Sequence, residues 1–272
     1  MKPAAFDYAC PDNLDEALAL LAEKGEAARI CAGGQSLGAM MNMRLANPAA
    51  LIDIAGLAEL KTIAVVDGAI EVGAAVTQAE LLSWPELVDR QPLLAQALPW
   101  VGHYQTRQRG TVCGSLAHSD PSSELPLALA LLRGEVILQS RKSRRVVGAA
   151  DFQTGMMATA LAADEMIVGA RFPITKAGEA SAFLEVAQRH GDFAIVAVAA
   201  IGDQQGARLG VGGVADTPGV IELGWPGNDT ALNDFAWSLG GADDQHATAR
   251  YRRELVRRLG RRALEEVHDA LS

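Results

Sequence analysis

Near the start of the chain, Leu14, Ala17, Leu18 and Leu21 recur at helical spacing. Asn13, with Glu16 three residues later, has the form of a capping box, and Gly25 supplies a stop. The short apolar run Arg29-Ile30-Cys31-Ala32 predicts a buried strand. Leu37, Met40, Met41 and Leu45 predict a short amphipathic helix, and Leu51-Ile52-Asp53-Ile54 a second strand. This βαβ-like order puts residues 32–37 at the carboxyl end of a strand, where open α/β sheets bind ligands.

The pattern then changes. Thr62 to Val66 and Ala69 to Val72 flank Asp67-Gly68, a strong hairpin signal. Thr77 with Glu80 caps a short helix, and Pro85, Pro92 and Pro99 punctuate the helical stretch that follows. A helix is expected from Pro121 to about Leu132, with Asp120 as N-cap and Pro121 at its first position. Val136 to Gln139, Arg144 to Val147 and Met166 to Phe172 read as strands, and Pro173 to Gly178 as a domain boundary. Beyond it, Ala182 to Val186, Ala194 to Ile201 and Ala207 to Val214 predict three successive strands. A final helix carries Tyr251, Leu255, Leu259 and Leu264 on one side. The expected organisation is α+β, with domains at 1–174 (divided near residue 56) and 175–272. Seven arginines lie between Arg250 and Arg262. They suit a solvated face with packed stems, or a surface that docks on an acidic partner.

Composition narrows the classes. A length of 272 residues with 49% apolar content supports more than one packed core. The net charge of −9 argues against nucleic acid as a partner. No apolar run reaches the roughly 18 residues of a membrane span. Lys2 to Asp7 places an acidic residue where a signal peptide has its hydrophobic stretch, so the expected address is cytoplasmic. Cys10, Cys31 and Cys113 form neither a disulfide framework nor a CxxC pair, and the five histidines lack metal-ligand spacing. No metal site is expected in this chain.

The chemistry concentrates in two glycine-bearing loops about eighty residues apart, Ala32-Gly33-Gly34-Gln35-Ser36-Leu37 and Thr111-Val112-Cys113-Gly114-Ser115-Leu116. Backbone without β-carbons approaches a ligand closely and can aim N–H groups at phosphate oxygens. The adjacent glycines and the place of Asp53 do not fit the GxGxxG dinucleotide fingerprint. A phosphate cradle of another type and an ordinary tight turn both remain open for the first loop. Arg107 and Arg109 could neutralise phosphate or pair with local carboxylates. Glu124 suits either the helix dipole or a sugar's hydroxyls. His118 and Asp120 lack a GxSxG nucleophile and any further acid–base partner, so no catalytic side chain is expected. The Cys113 thiol lies inside the second loop, where it could be a small residue that fits or a thiol near a redox ring.

The first loop, with Met40-Met41-Asn42-Met43-Arg44-Leu45 behind it, resembles the first flavin loop of the FAD subunit of the molybdenum-containing hydroxylases. Arg109 to Pro121 resembles the second loop, and Gly191-Asp192-Phe193-Ala194 and Tyr251-Arg252-Arg253 resemble signatures of that subunit's C-terminal domain. The likeness runs from Phe6 to Leu264, to medium subunits of the carbon monoxide, nicotine and xanthine dehydrogenase type. It implies two α/β subdomains of the vanillyl-alcohol-oxidase (PCMH-like) kind that bind FAD, and a C-terminal domain of a three-stranded antiparallel sheet with helices.

The same resemblance implies that the diphosphate is held by Gly33 to Ser36 and by Thr111 to Ser115, Gly114 among them, with Ala32 and Leu37 as further cofactor contacts. Glu124 matches an aspartate that binds the adenosine ribose. Met166 or Ile167 would pack on the adenine or flavin, the loop around His190-Gly191-Asp192-Phe193 belongs near the isoalloxazine, and Val101 and His118 are further cofactor contacts. Electrons would come from two [2Fe–2S] clusters of a small subunit, after substrate is hydroxylated at a molybdenum-pterin cofactor in a large subunit. They would leave to an external acceptor, from a dimer of heterotrimers. Two rival readings are a non-redox module of the same fold and a self-sufficient flavin oxidase. Two positions depart from the family: Cys113 replaces a glycine, and Glu185 stands where a lysine is common, close to the flavin region.

Overall fold

The computed structural model describes residues 2–225 and 229–272. Its first layer is a parallel sheet of β1 (Asp7–Ala9), β2 (Ala28–Cys31) and β3 (Ala50–Asp53), in the order β1-β3-β2. Helix α1 (Leu14–Lys24) and α2 (Leu37–Asn42) connect these strands. Asn13 caps α1 by accepting from the Glu16 N–H, but the Glu16 carboxylate reaches back to the Asp12 N–H instead of closing the box on Asn13. Helix α2 is shorter than its apolar pattern predicts. It ends before Arg44, whose φ is +60°, and leaves Met43 and Leu45 exposed.

The hairpin of β4 (Ile63–Val66) and β5 (Ala69–Gly73) turns on Asp67-Gly68, both at positive φ as a type I′ turn requires. Short helices follow: α3 (Gln78–Leu82), α4 (Leu87–Arg90), α5 (Pro92–Ala97) and α6 (Tyr104–Arg107). The Thr77–Glu80 capping box on α3 is complete. After α7 (Val112–His118) and α8 (Glu124–Leu132) come β6 (Glu135–Gln139) and β7 (Arg144–Gly148). The chain continues through α9 (Ala149–Phe152) and a small hairpin of β8 (Gln153–Gly155) and β9 (Ala158–Thr159). Strand β10 (Met166–Pro173) then enters the centre of an antiparallel sheet of order β4-β5-β10-β6-β7.

The rest of the chain forms an antiparallel sheet in sequence order: β11 (Ala180–Ala187), β12 (Ala194–Gly202), β13 (Gly206–Gly212) and β14 (Gly219–Gly224). The sheet therefore has four strands where the sequence predicts three. Gly219-Val220-Ile221-Glu222 leaves Val220 and Glu222 outside, so the edge strand lacks a long apolar run. One face of the sheet packs under α10 (Asp229–Ser238) and α11 (Ala249–Leu271), where Val196, Val198, Leu209 and Val211 join Val256, Leu264 and Val267 in one core. The other face joins the core of the preceding sheets through Phe183, Ala197 and Ala199. Strand β12 is consequently buried on both sides, and its Ala/Val composition fits that thin space.

Helix α8, Glu-Leu-Pro-Leu-Ala-Leu-Ala-Leu-Leu, has no polar face and is buried nearly all round. It lies against β13, where Gly210 and Gly212 leave room for Leu127 and Leu131. Its N-cap is Ser123. Asp120 instead holds the preceding turn through its carboxylate to the Ser122 N–H and its carbonyl to the Ser123 N–H, which moves the helix start three residues beyond the expected Pro121.

The C-terminal helix is rotated from its sequence reading: Tyr251 is exposed, while Arg252, Leu255 and Val256 face inward. Buried Arg252 donates to the carbonyls of Ile195 and Gly213, both at 2.6 Å, and to Asp244 at 2.5 Å. Removing it leaves three acceptors short of a donor. We expect Arg252→Ala to lower stability by about 3 kcal/mol in urea denaturation. Arg253→Ala loses a surface contact over the Trp237 ring and should cost under about 1 kcal/mol. Equal costs for the two variants would contradict this assignment.

Candidate functional site

The two glycine loops, distant in sequence, touch in the fold. A side chain at Gly33 would overlap the Arg109 carbonyl oxygen and lie 2.7 Å from the Gly110 Cα, so only glycine admits this approach. Behind Gly110, the Gln78 N–H donates to the Gly110 carbonyl at 2.8 Å and the Val112 N–H to Val76 at 3.1 Å. Gln78 is buried, and its Oε1 has no hydrogen-bond partner among the described residues. It was not expected at the site; its only signal is its place after Thr77 in a capped helix.

The loops present different donors. In the first, the N–H groups from Gly33 to Leu37 have no acceptor among the described residues, and Ser36 makes no side-chain cap. The fold brackets that row with β2 and α2. In the second, Thr111 caps α7 by accepting from the Gly114 N–H at 3.0 Å, and its carbonyl accepts from Ser115 at 3.2 Å. Gly114 and Ser115 amides are thus engaged within the chain; Thr111 itself is buried, and Ser115 is half-buried. His118 closes α7 one turn beyond Ser115.

The arginines before the second loop divide similarly. Arg107 Nη1 donates to the carbonyls of Pro99, Val101 and Gly102, the last at 2.7 Å, and so organises the 98–102 turn. Arg109 is exposed; its N–H donates to the Thr106 carbonyl at 3.2 Å, while its guanidinium makes no hydrogen bond or ion pair among the described residues. The Cys113 thiol points away from the loop surface, toward the Val72 carbonyl at 3.6 Å, and burial pushes it up to about 12. It is a small core residue. Cys113 also has ordinary negative φ within α7, so replacing glycine there costs no left-handed strain.

The remaining expected contacts come from three directions. Val101 ends the turn held by Arg107 and is buried. Met166 and Ile167 are buried in β10, before the bulge between Ile167 and Gly169. The 188–193 loop folds over the 100–103 segment: His190 stacks on Trp100 with centroids 4.8 Å apart, and a side chain at Gly191 would meet the Gly102 oxygen at 2.8 Å. Asp192 pairs with Arg189, and Phe193 beside it is 60% exposed. The Trp100–His190 stack was not foreseen, since neither residue carries a motif.

Glu124 occupies the first turn of α8 and is buried. Burial pushes its carboxyl up to about 7, with Asp120 adding to the rise and Arg107 opposing it. Glu185, on β11, is 9% exposed, and neither of its oxygens has a hydrogen-bond partner among the described residues. Burial and then the nearby Glu124 push it up to about 8.

These features suit a cofactor that carries a diphosphate and sugar hydroxyls. An open row of amides, an unpaired arginine and a close approach that only glycine allows serve the anion, while buried carboxylate oxygens serve the hydroxyls. Among the described residues no group of His, Cys, Asp or Glu could hold a metal.

Comparison with known proteins agrees with this chemistry. Residues 4–175 match the FAD binding domain in molybdopterin dehydrogenase, and the chain belongs to that family. It is 34% identical over 281 residues to the 6-hydroxypseudooxynicotine dehydrogenase complex subunit alpha of Paenarthrobacter nicotinovorans, covering 97% of this chain and 95% of that one. It is 33% identical over 287 residues to the caffeine dehydrogenase subunit beta of Pseudomonas sp. strain CBB1, covering 100% and 97%. A chain of the Cu,Mo-CO dehydrogenase crystal structure superposes with a TM-score of 0.93 at 28% identity, over the whole of both chains. The α+β architecture read from the sequence is that of these relatives.

Two expectations follow. Gly33→Ala should separate the loops, lowering stability by about 1–3 kcal/mol and reducing retained FAD. Gly38→Ala, with no atom within 4 Å of the new methyl, should do neither. Thermal melts and flavin content of the purified variants check both. The two raised carboxyls set a pH dependence. Their folded values, about 7 and about 8, exceed the ordinary 4.5, so the folded chain holds these protons more tightly than the unfolded one. The resulting stabilisation is full below 4.5 and is lost as pH rises through 7 and 8. The melting temperature of the cofactor-free chain should fall across that window, and Glu185→Gln should flatten the fall.

Proposed function

We propose that the chain is the FAD-binding medium subunit of a molybdenum hydroxylase, an oxidoreductase relay between partner iron–sulfur clusters and an external acceptor. The reading is carried by the meeting of the two glycine loops, Gly33 against Arg109 and Gly110, with the amides from Gly33 to Leu37 left open among the described residues. It is supported by medium-subunit and dehydrogenase-complex relatives of nearly full length. The division into an FAD-binding domain at 1–174 and a C-terminal domain at 175–272 is part of the same proposal, and accords with the family match ending at residue 175.

In this reading the amides from Gly33 to Leu37, at the end of the strand that leads through Ala32, hold the diphosphate, and Arg109 balances its charge. Thr111 and Ser115 donate hydroxyls from the opposite side, with Gly114 keeping that turn close. Glu124 accepts from the adenosine ribose. Val101 and Ile167 supply apolar walls, and His118, Asp192 and Phe193 bound the ring-bearing end. Bound FAD supplies the capacity to take up electrons singly or in pairs. The protein's work is to bind it, orient it and limit water at its polar end. The partners are a small subunit with two [2Fe–2S] clusters and a large subunit with the molybdenum-pterin cofactor, in a dimer of heterotrimers located in the cytoplasm. Among the described residues no helix is long and apolar enough to cross a membrane.

A non-redox module of the same fold would have no need of two intact loops in contact. A self-sufficient oxidase would turn over substrate without partners. We therefore expect the cofactor-free chain to take up FAD with a flavin spectrum, and the loaded chain to reduce dye from substrate only when both partner subunits are present. Refusal of FAD at saturating concentration would sink the reading, and turnover by the isolated chain would favour the oxidase.

A further inference from the structure

Arg107, the last residue of α6, is half-buried and spends its guanidinium on main-chain oxygens. Its Nη1 donates to the carbonyls of Pro99, Val101 and Gly102 at 3.2, 3.1 and 2.7 Å. Gly102 turns the chain with a φ of +56°, a conformation that favours glycine. The Gly102 oxygen that Arg107 holds also limits the C-terminal half. A side chain at Gly191, itself at φ +88°, would lie 2.8 Å from that oxygen and overlap the His103 ring. One residue earlier, His190 stacks on Trp100 with centroids 4.8 Å apart. Trp100, Gly102 and His103 together form the seat of the 188–193 loop.

The same short helix also fixes the second glycine loop. The Arg109 and Gly110 N–H groups donate to the Thr106 carbonyl at 3.2 and 2.7 Å, and Gly110 is the residue that Gly33 abuts. Three carbonyl dipoles turned toward one point repel one another, so this turn needs a cation at its centre. A guanidinium supplies it, because it always carries its charge and offers only donors. Without Arg107 the carbonyls of Val101 and Gly102 have no reason to keep their direction, and the seat loses its shape.

We propose that Arg107 is a positioning residue for the ring-bearing end of the FAD site: by gathering the 99–102 carbonyls it fixes Val101 and seats the C-terminal 188–193 loop. The inference rests on the reading of Val101, Asp192 and Phe193 as the walls of that end. Arg107 acts through the turn and touches no cofactor atom. Its charge is spent on carbonyls, which leaves the diphosphate to the amides of Gly33 to Leu37 and to Arg109. The ring end is therefore built from both halves of the chain, and the Gly102 carbonyl is where they meet. The Arg189–Asp192 ion pair at 3.0 Å and the Asp192 N–H on the Arg189 carbonyl, also at 3.0 Å, keep the seated loop in one shape.

The test measures binding of FAD and of ADP to the cofactor-free full chain by calorimetry. ADP carries the diphosphate and adenosine but no isoalloxazine, so it reads the other end of the site alone. Arg107→Met keeps the aliphatic stem and removes the donors. It should weaken FAD about tenfold and leave ADP within about twofold of wild type. Gly191→Ala unseats the loop from the other half with Arg107 intact, and should give the same selective loss. The double variant should lose no more FAD affinity than the weaker-binding single variant, because both changes break one contact. Equal losses of FAD and ADP in Arg107→Met, unchanged FAD affinity, or additive losses in the double variant each overturn the proposal. If Arg107→Met does not fold, hydrogen exchange of Gly191→Ala decides: faster exchange at the 100–102 amides supports the shared seat, and unchanged exchange overturns it. A wild-type chain that binds no FAD overturns the FAD reading and this proposal with it, whereas equal losses in a wild type that binds both overturn the proposal alone.

Discussion

The covering of α8 on every side is the constraint on which the rest of the molecule depends. A helix of Leu, Ala and one Pro after its single acid has no face to show water, so both neighbouring sheets must close on it. Gly210 and Gly212 make that approach possible on one side, and Ala197 and Ala199 keep the adjoining surface thin. The two cores thereby become one mechanical unit around a single helix. The consequence for chemistry is direct: the only charged residue of α8 is carried into the interior at its N-terminus, where burial raises its carboxyl.

A second close approach, at Gly33, fixes the other half of the site. Here the constraint is steric and concerns the backbone alone. Carbonyl oxygen and Cα from the second loop occupy the volume that any side chain would need. Contact between the loops explains why their donors differ. The second loop spends its amides on its own helix start and on Val76, becoming a stiff wall. The first loop, braced by that wall, can leave its amides open. An open row of N–H groups is unstable without a scaffold and useful with one.

Local patterns were legible where local physics decides. The Asp67-Gly68 hairpin, the Thr77–Glu80 box and the Asn13 cap all depend on residues within four positions of each other. The first glycine loop lies at the end of β2, where the apolar run placed it. The failures share a different cause. Asp120 followed by Pro121 is a good helix start by propensity, yet the Asp120 carboxylate found a nearer N–H and moved the start to Ser123. The α11 pattern placed Tyr251 inward because an arginine is assumed to face water; three acceptors from other elements reverse that assumption for Arg252. Elsewhere in the arginine cluster, Arg257 and Arg258 pair with Glu254 and Arg262 with Glu266 on their own helix. Burial of Glu185 has no local signal at all, because it is set by what lies across the sheet.

That burial changes the meaning of the departure at position 185. A lysine there, as the family resemblance leads one to expect, would place a cation in the same field as the Glu124 carboxylate. A glutamate reaches a similar balance only by holding a proton. The two solutions differ in one physical respect: a lysine paired with a carboxylate stays charged across the neutral range, whereas a proton held at about 8 is lost within it. Substitution of cation by acid thus converts a fixed charge into a titrating one, at the end of the site that Glu124 and the second loop define.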